Sequence, residues 1–435
     1  MNHYDPVWTD ASGRRELASW YYPQVGPYDS MDPAVMEYQV LLMKLAGIDG
    51  VIVDWYGVDL FVDYPGIEDR TRAMLGWVER AGLSFCLCYE DRTIKAEIEF
   101  GHIPAADAVL HAQMAMSHAE EVYFSSPSYQ RLDGKPVLLN FGPEYFVSGR
   151  DWNRIFSVLD STNQPAFFTL HQRVLPAMGA FSWPPMWLAP AKGEMPVATL
   201  ESYLNSFEQT ASSALWPAFV SSAFPRFHDI YAEAGVSESY GLIADREGAT
   251  FRETLARGMT NASAMVQLVT WNDYGEGTQI EPTREFGRRD LETVQELRRA
   301  YLDPEFTGKG SNLELPGRLL ALRRKHDSDP VLTAEMDRAF VDIVSGYVTL
   351  AERRLDALES GHPVVVKATF AGVNVRVEAG GFLSGSQLRL ESVDSLSGGT
   401  WQVVAAQTPG VGPVVFTDSR MPSPGTSYYR LTLVP

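Results

Sequence analysis

Between residue 17 and about residue 305, short apolar runs alternate with longer amphipathic stretches. The runs are LASWYYP (17–23), GVIVDWYG (50–57), LSFCLCYED (83–91), PVLLNFG (136–142), AFFTLHQ (166–172), AFSWPPMW (180–187), WPAFVSSAF (216–224) and AMVQLVTWNDYGEG (264–277). Near-continuous apolar runs of this length read as strands buried on both faces, which is the texture of a parallel sheet. The stretches between them carry helix signals. In DPAVMEYQVLLMKLAG, for example, Asp32 can cap, Pro33 sits in the first turn and Gly47 ends the helix. Eight strand-and-helix units predict an α/β chain folded as a closed (β/α)8 TIM barrel rather than an open doubly wound sheet. The absence of a Gly-x-Gly-x-x-Gly fingerprint after any run agrees with that choice.

Beyond the eighth run, DLETVQELRRAYLD predicts a closing helix, and residues 306–361 predict a helical extension packed on the barrel. From 362 to 435 the texture changes to short Val-rich alternating runs separated by Gly, Ser and Pro. This predicts a small antiparallel β-sandwich as an accessory domain. The domain expectation is therefore a barrel over 1–305, helices over 306–361 and a sandwich over 362–435.

Composition narrows the function. A formal net charge of -19 argues against a nucleic-acid partner, which needs clustered Lys and Arg. No stretch approaches the ~20 apolar residues of a membrane span. Cys86 and Cys88 lie in one strand-like run, a poor geometry for a disulfide, and the eight His show no metal-ligand spacing, so neither a metal nor a cofactor is expected. A barrel needs no partner to close, so a monomer is expected. Ten Trp and nineteen Tyr suit a cleft that stacks sugar rings.

In a barrel of this kind the chemistry sits at the C-terminal ends of the strands. The residues found there are Tyr22, Asp54, Trp55, Tyr56, Tyr89, Glu90, His171, Trp271, Asn272, Asp273 and Glu276. TWNDYGEGTQIEPTREFG (270–287) is the richest segment. It sets two carboxylates three positions apart, and Gly275 and Gly277 permit a bend that turns both toward one cavity. Glycosidic cleavage needs an acid to protonate the leaving oxygen and a second group to supply the nucleophile, and two nearby carboxylates push their pKa values apart. Glu276 is the candidate acid/base and Asp273 its partner. The alternative is that Asp273 caps the loop while Glu276 pairs with Arg284 or Arg288.

WNDYGEGTQIEP resembles the Asn-Glu-Trp-His-Glu-Gly-Thr-Gln-Ile-Glu signature of glycoside hydrolase family 99, the endo-α-mannosidases and endo-α-mannanases. KLAGIDGVIVDWYG (44–57) resembles the second-strand signature shared by families 71 and 99, and CYED is similar to a third-strand end that supplies a substrate-binding Glu. ADREGATFRETLARGM is similar to the Arg-Gly-x-x-(Tyr/Phe) stretch before the eighth strand. The resemblance covers about residues 15 to 305. It implies a carbohydrate-cleaving enzyme in which Glu276 is the general acid/base and Asp273 deprotonates the sugar 2-hydroxyl, giving a 1,2-anhydrosugar intermediate. It also implies that Tyr89 and Glu90 contact the sugar, with Tyr22, Tyr56 and His171 as further contacts. Family 99 has Glu where this chain has Asp273, and Asp is instead the residue of family 71, the α-1,3-glucanases, in which a water attacks. α-Mannan and α-glucan type substrates therefore both stand as expectations. Two other readings are a WbsX-like protein of polysaccharide biosynthesis and a non-catalytic carbohydrate-binding barrel. A degradative role suggests a secreted or periplasmic location.

Overall fold

Seven of the eight apolar runs carry strands of one parallel sheet in the computed structural model, which describes residues 7–190, 193–213, 216–326, 328–362, 364–371, 374–380, 387–420 and 427–434. The strands are β1 (Gly50–Trp55), β2 (Ser84–Tyr89), β3 (Lys135–Asn140), β4 (Ala166–Leu170), β5 (Gly179–Phe181), β6 (Val220–Ala223) and β7 (Met265–Leu268). They pair in sequence order, each parallel to the next. Helices Tyr64–Arg80, Ala108–Ala119, Gly149–Phe156, Val197–Ala211 and Ala249–Thr260 lie on the connections, giving a TIM-like barrel wall. Its core is what the runs imply: Phe85, Leu87, Val137, Leu138, Leu139, Phe167, Phe168 and Phe181 are buried. Cys86 and Cys88 are free and buried in β2, and burial pushes the Cys86 thiol up to about 12.

The expected first strand is a correction. LASWYYP (17–23) forms no strand; only Pro23 makes an isolated bridge, to Thr283. Its backbone donors are taken elsewhere: the Tyr22 N–H goes to Glu285 Oε2 at 2.9 Å and the Tyr21 N–H to Ser19 Oγ at 3.0 Å. Side-chain acceptors thus compete with a ladder, and Pro23 has no N–H to offer one.

The chain divides into two compact units, one made of residues up to Asp32 with Ala46–Gly310, the other of Pro33–Leu45 with Ser311 onward. The first holds the parallel sheet. In the second, helices Leu315–Lys325, Pro330–Val344 and Val348–Ser360 are followed by six strands. These are β8 (Val364–Ala371), β9 (Asn374–Gly380), β10 (Gln387–Val393), β11 (Gln402–Gln407), β12 (Val414–Asp418) and β13 (Tyr428–Val434). They form two antiparallel three-stranded sheets, β8-β9-β12 and β11-β10-β13. Val375, Val377 and Phe416 of one sheet share an apolar cluster with Leu388 and Leu390 of the other, the inward half of an alternating pattern. Helices and strands of this unit are tied by buried Arg354, which donates to Glu335 at 2.8 Å, Asp342 at 3.1 Å and Glu378 of β9 at 3.2 Å. Trp401 lies under the Arg430 guanidinium, 4.3 Å from its ring centre, and Tyr429 donates to Asp418 at 3.0 Å. Among the described residues no helix is long and apolar enough to cross a membrane.

Candidate active site

Parallel strands taken in order bring their C-terminal ends to one rim. Four carboxylates collect there: Asp54 near the end of β1, Glu90 directly after β2, and Asp273 and Glu276 in the loop after β7. The last loop is built as a closed turn. Thr270 N–H donates to Thr278 O at 3.1 Å, and Ile280 N–H to Thr270 O at 2.9 Å. Inside it, Asp273 N–H donates to Thr270 Oγ1 at 3.0 Å and Glu276 N–H to Asp273 Oδ1 at 2.8 Å. Gly277 takes φ +69, and a Cβ there would stand 2.5 Å from the His228 carbonyl oxygen, so only glycine fits. That close approach lets the neighbouring segment zip onto the loop, with His228 N–H donating to Glu276 O at 2.8 Å and Ile230 N–H to Gly275 O at 3.0 Å.

The result for Glu276 is a side chain with two different oxygens. Oε1 accepts from the Tyr231 hydroxyl at 3.1 Å, whereas Oε2 is buried and has no hydrogen-bond partner. Burial, and secondarily the Asp273 charge, push its carboxyl up to about 8 against the opposing pull of Tyr231. Asp273 is also raised by burial, offset by the N–H groups of Glu276 and Gly275. Glu90 is raised to about 6 by burial, with Arg92 and an Asp54 hydrogen bond pulling the other way. Asp54 is held well above the usual carboxylate range by burial first and then by Glu90, Asp273 and Glu276. Its side chain is exposed at the rim, yet protein groups lie on several sides of it and lower the local dielectric. Four like charges this close cannot all ionise at neutral pH. The cluster therefore offers a protonated carboxylic acid at Glu276 beside carboxylates that can take a proton.

The remaining candidates separate cleanly. Tyr56 belongs to the cluster, since its hydroxyl is raised by burial and by Asp54 and Glu90. Trp271 sits in the same loop with its buried Nε1 unpartnered, and exposed Asn272 donates to the Tyr28 hydroxyl at 3.3 Å. His171 takes a left-handed backbone, φ 59, and its Nδ1 is 3.1 Å from the Tyr203 hydroxyl with Trp187 edge-on at 4.5 Å. Burial lowers it to about 4, so it is neutral and part of an aromatic wall. Three expectations are corrected. Trp55 is wholly buried, with Nε1 donating to Glu68 at 2.8 Å, and Tyr89 is buried against it with ring centres 5.9 Å apart. Side chains alternate across a strand, so the face that aims Asp54 and Glu90 into the cleft turns Trp55 and Tyr89 toward the helices. Tyr22 is clamped between the guanidiniums of Arg14 and Arg284, 4.3 and 4.4 Å from its ring centre, and its hydroxyl accepts the Arg15 N–H at 3.2 Å. Nothing of it is left for a ligand.

Asp273 does cap its loop, as the alternative reading had it, while the side-chain hydrogen bond that Glu276 accepts comes from Tyr231 and Arg284 lies over the Tyr22 ring. Asp91 accepts three backbone N–H groups, from Glu144, Tyr145 and Phe146, and anchors the loop after β3. Sequence reasoning missed Tyr231. The signal available was its place beyond the end of β6, in the polar segment PRFHDIY.

No protein-family model matches the chain. A curated protein of Danio rerio, "glycoprotein endo-alpha-1,2-mannosidase-like protein", is 34% identical over 74 residues, 16% of this chain and 15% of that protein's own length. The chain is similar to family 99 endo-α-mannosidases. Among solved structures, the GH99 endo-alpha-mannosidase from Bacteroides thetaiotaomicron aligns at 18% identity over 68% of this chain and 90% of the other, TM-score 0.49. A "glycoside hydrolase-like protein" aligns at 16% identity over 64% and 89%, TM-score 0.49.

Proposed function

We propose that this protein is a glycoside hydrolase that cleaves α-mannosidic linkages in an oligosaccharide or polysaccharide. The observation that carries the reading is Glu276: a carboxyl raised to about 8, held at one oxygen by Tyr231, with its other oxygen unpartnered among three further carboxylates. A group protonated at neutral pH with a free oxygen is what leaving-group protonation requires. In this reading Glu276 protonates the glycosidic oxygen and later returns to the acid form. Asp273 takes the proton of the sugar 2-hydroxyl or of an attacking water. Asp54 and Glu90 hold sugar hydroxyls, and Tyr56, Trp271 and Asn272 line the cleft. The 34% identity to the Danio rerio protein over 74 residues, together with the WNDYGEGTQIEP motif, supports mannose as the sugar. Asp at position 273, one methylene shorter than Glu, favours a water-attack route as the second reading.

We also take the two C-terminal sheets as a β-sandwich accessory domain, and a secreted or periplasmic location suits a polymeric substrate. The test is incubation of the wild type, Glu276→Gln and Asp273→Asn with a panel of α-mannans and α-glucans, following released sugar and its first-formed anomer by NMR. Cleavage of an α-mannan by the wild type and loss of turnover in both variants supports the proposal, and the anomer separates the two routes. Cleavage that survives both substitutions refutes the assignment of these residues.

A further inference from the structure

A second polar cluster lies apart from the four carboxylates, within the barrel unit. Asp59 is in the loop that leaves β1, Glu97 is on helix Arg92–Glu99, and His111 is on helix Ala108–Ala119. One ligand atom of each lies within 4.8 Å of the other two. His111 Nδ1 is 2.8 Å from Asp59 Oδ1. Glu97 is only 1% exposed, and its carboxylate oxygens meet no N–H or O–H donor, only the neighbouring carboxyl of Asp59. His102 Nε2 stands 3.9 Å from Glu97 Oε2, beyond hydrogen-bond reach. Two carboxyl groups that meet in a buried place with no donor between them are disfavoured, and a cation bound by both relieves it.

We propose that Asp59, Glu97 and His111 bind one divalent transition-metal cation of the zinc class. Two carboxylate oxygens and an imidazole nitrogen are a mixed oxygen and nitrogen set that suits such ions, at bond lengths of about 2.0–2.2 Å. Tetrahedral bonds of that length put donor atoms about 3.4 Å apart, so Asp59 and His111, now 2.8 Å apart, exchange their hydrogen bond for the ion and part slightly, while donor atoms as far as 4.8 Å apart draw in by roughly 1 Å. Water, or His102 after a side-chain rotation, completes the shell. The ion acts as a staple. It ties the loop that follows Asp54 and Tyr56 to the helix that begins just beyond Glu90, and so holds two strand ends together without taking part in any reaction step. The inference stands apart from the proposed hydrolysis, because the cluster is distinct from Asp273 and Glu276.

The test uses the full chain, stripped with a chelator and then titrated with ZnCl2 by isothermal calorimetry, with MnCl2 as a second probe. The wild type takes up one equivalent of Zn2+ and its Tm rises with zinc. His111→Gln and Asp59→Asn, whose changed side chains are only partly buried, weaken binding by at least about 100-fold and lose the zinc-dependent rise in Tm. X-ray absorption on the zinc-loaded wild type then shows an oxygen and nitrogen shell; this arm needs no variant to fold. Absence of saturable binding of either ion by the wild type, or unchanged zinc affinity in both variants, overturns the proposal. So does a sulfur shell at about 2.3 Å, which would assign the ion to Cys86 and Cys88.

Discussion

Removal of the Tyr231 hydroxyl isolates one interaction in the cluster. In Tyr231→Phe the ring stays, including its contact with Tyr240 at 6.4 Å between centroids, and only the donor to Glu276 Oε1 at 3.1 Å is lost. That bond favours the ionised carboxylate. Hydrogen bonds to charged groups are worth about 1.5–3 kcal/mol, and because both partners are only partly enclosed the lower end applies. At 1.36 kcal/mol per unit this is about one pKa unit, so Glu276 rises from about 8 toward about 9. Loss of the proton from Glu276 is what ends acid catalysis as pH rises, so the alkaline limb of kcat/KM moves up by about one unit. A weaker acid also transfers its proton less readily, and the plateau falls roughly 3- to 10-fold. The assay is initial rates on the α-mannan that the wild type cleaves, from pH 5 to pH 10, with kcat and KM separated. An alkaline limb that stays in place, or moves down, refutes the role given to Tyr231 and with it the protonated state assigned to Glu276.

Glu276→Gln also changes stability. The folded carboxyl is raised from 4.5 to about 8, so between those values the folded chain holds a proton that the unfolded chain releases. Stability is therefore greatest below the unfolded value and is lost as pH rises through about 8, by at most a few kcal/mol from this group. Calorimetric Tm of the wild type falls between pH 5 and pH 8.5, and that of Glu276→Gln falls less and is higher at pH 8; parallel curves contradict this. Trp55→Phe removes the donor to Glu68 and costs about 1–3 kcal/mol in urea unfolding while kcat stays within about twofold, because the side chain faces the helices. Arg226→Met leaves the Gln279 carbonyl without this donor and buried Asp290 with Arg289 alone, and costs about 2–4 kcal/mol in the same measurement; a loss under about 1 kcal/mol counts against that network.

The barrel strands were legible because buried parallel strands write themselves as apolar runs, and each of β1 through β7 overlaps its expected segment, β3 and β5 starting one residue ahead of it. The first run failed for a local reason, the capture of its N–H groups by Glu285 and Ser19, which no periodicity reveals. Asp54, Tyr56, Glu90, Asp273 and Glu276 converge because each lies at the C-terminal end of its strand. Trp55 and Tyr89 were drawn in with them although they pair side by side in the β1–β2 register, on the face opposite Asp54 and Glu90. Strict alternation along those two strands separates the polar pair from the aromatic pair. Tyr231 reaches Glu276 across 45 residues, and the three members of the second polar cluster come from a loop and two helices. Contacts of that kind are set by tertiary packing and leave no spacing in the sequence.

General acid catalysis by Glu276 is tested most directly by varying the leaving group. A series of aryl glycosides of the cleaved α-linked sugar, spanning good and poor leaving groups, is to be compared in the wild type and Glu276→Gln. A good leaving group needs no proton, so the account predicts that Glu276→Gln approaches wild-type kcat/KM on the most acidic phenols and falls behind by about 10²- to 10⁴-fold on the least acidic, a steep dependence where the wild type is nearly flat. An equal loss across the whole series would contradict the assignment of Glu276 as the acid.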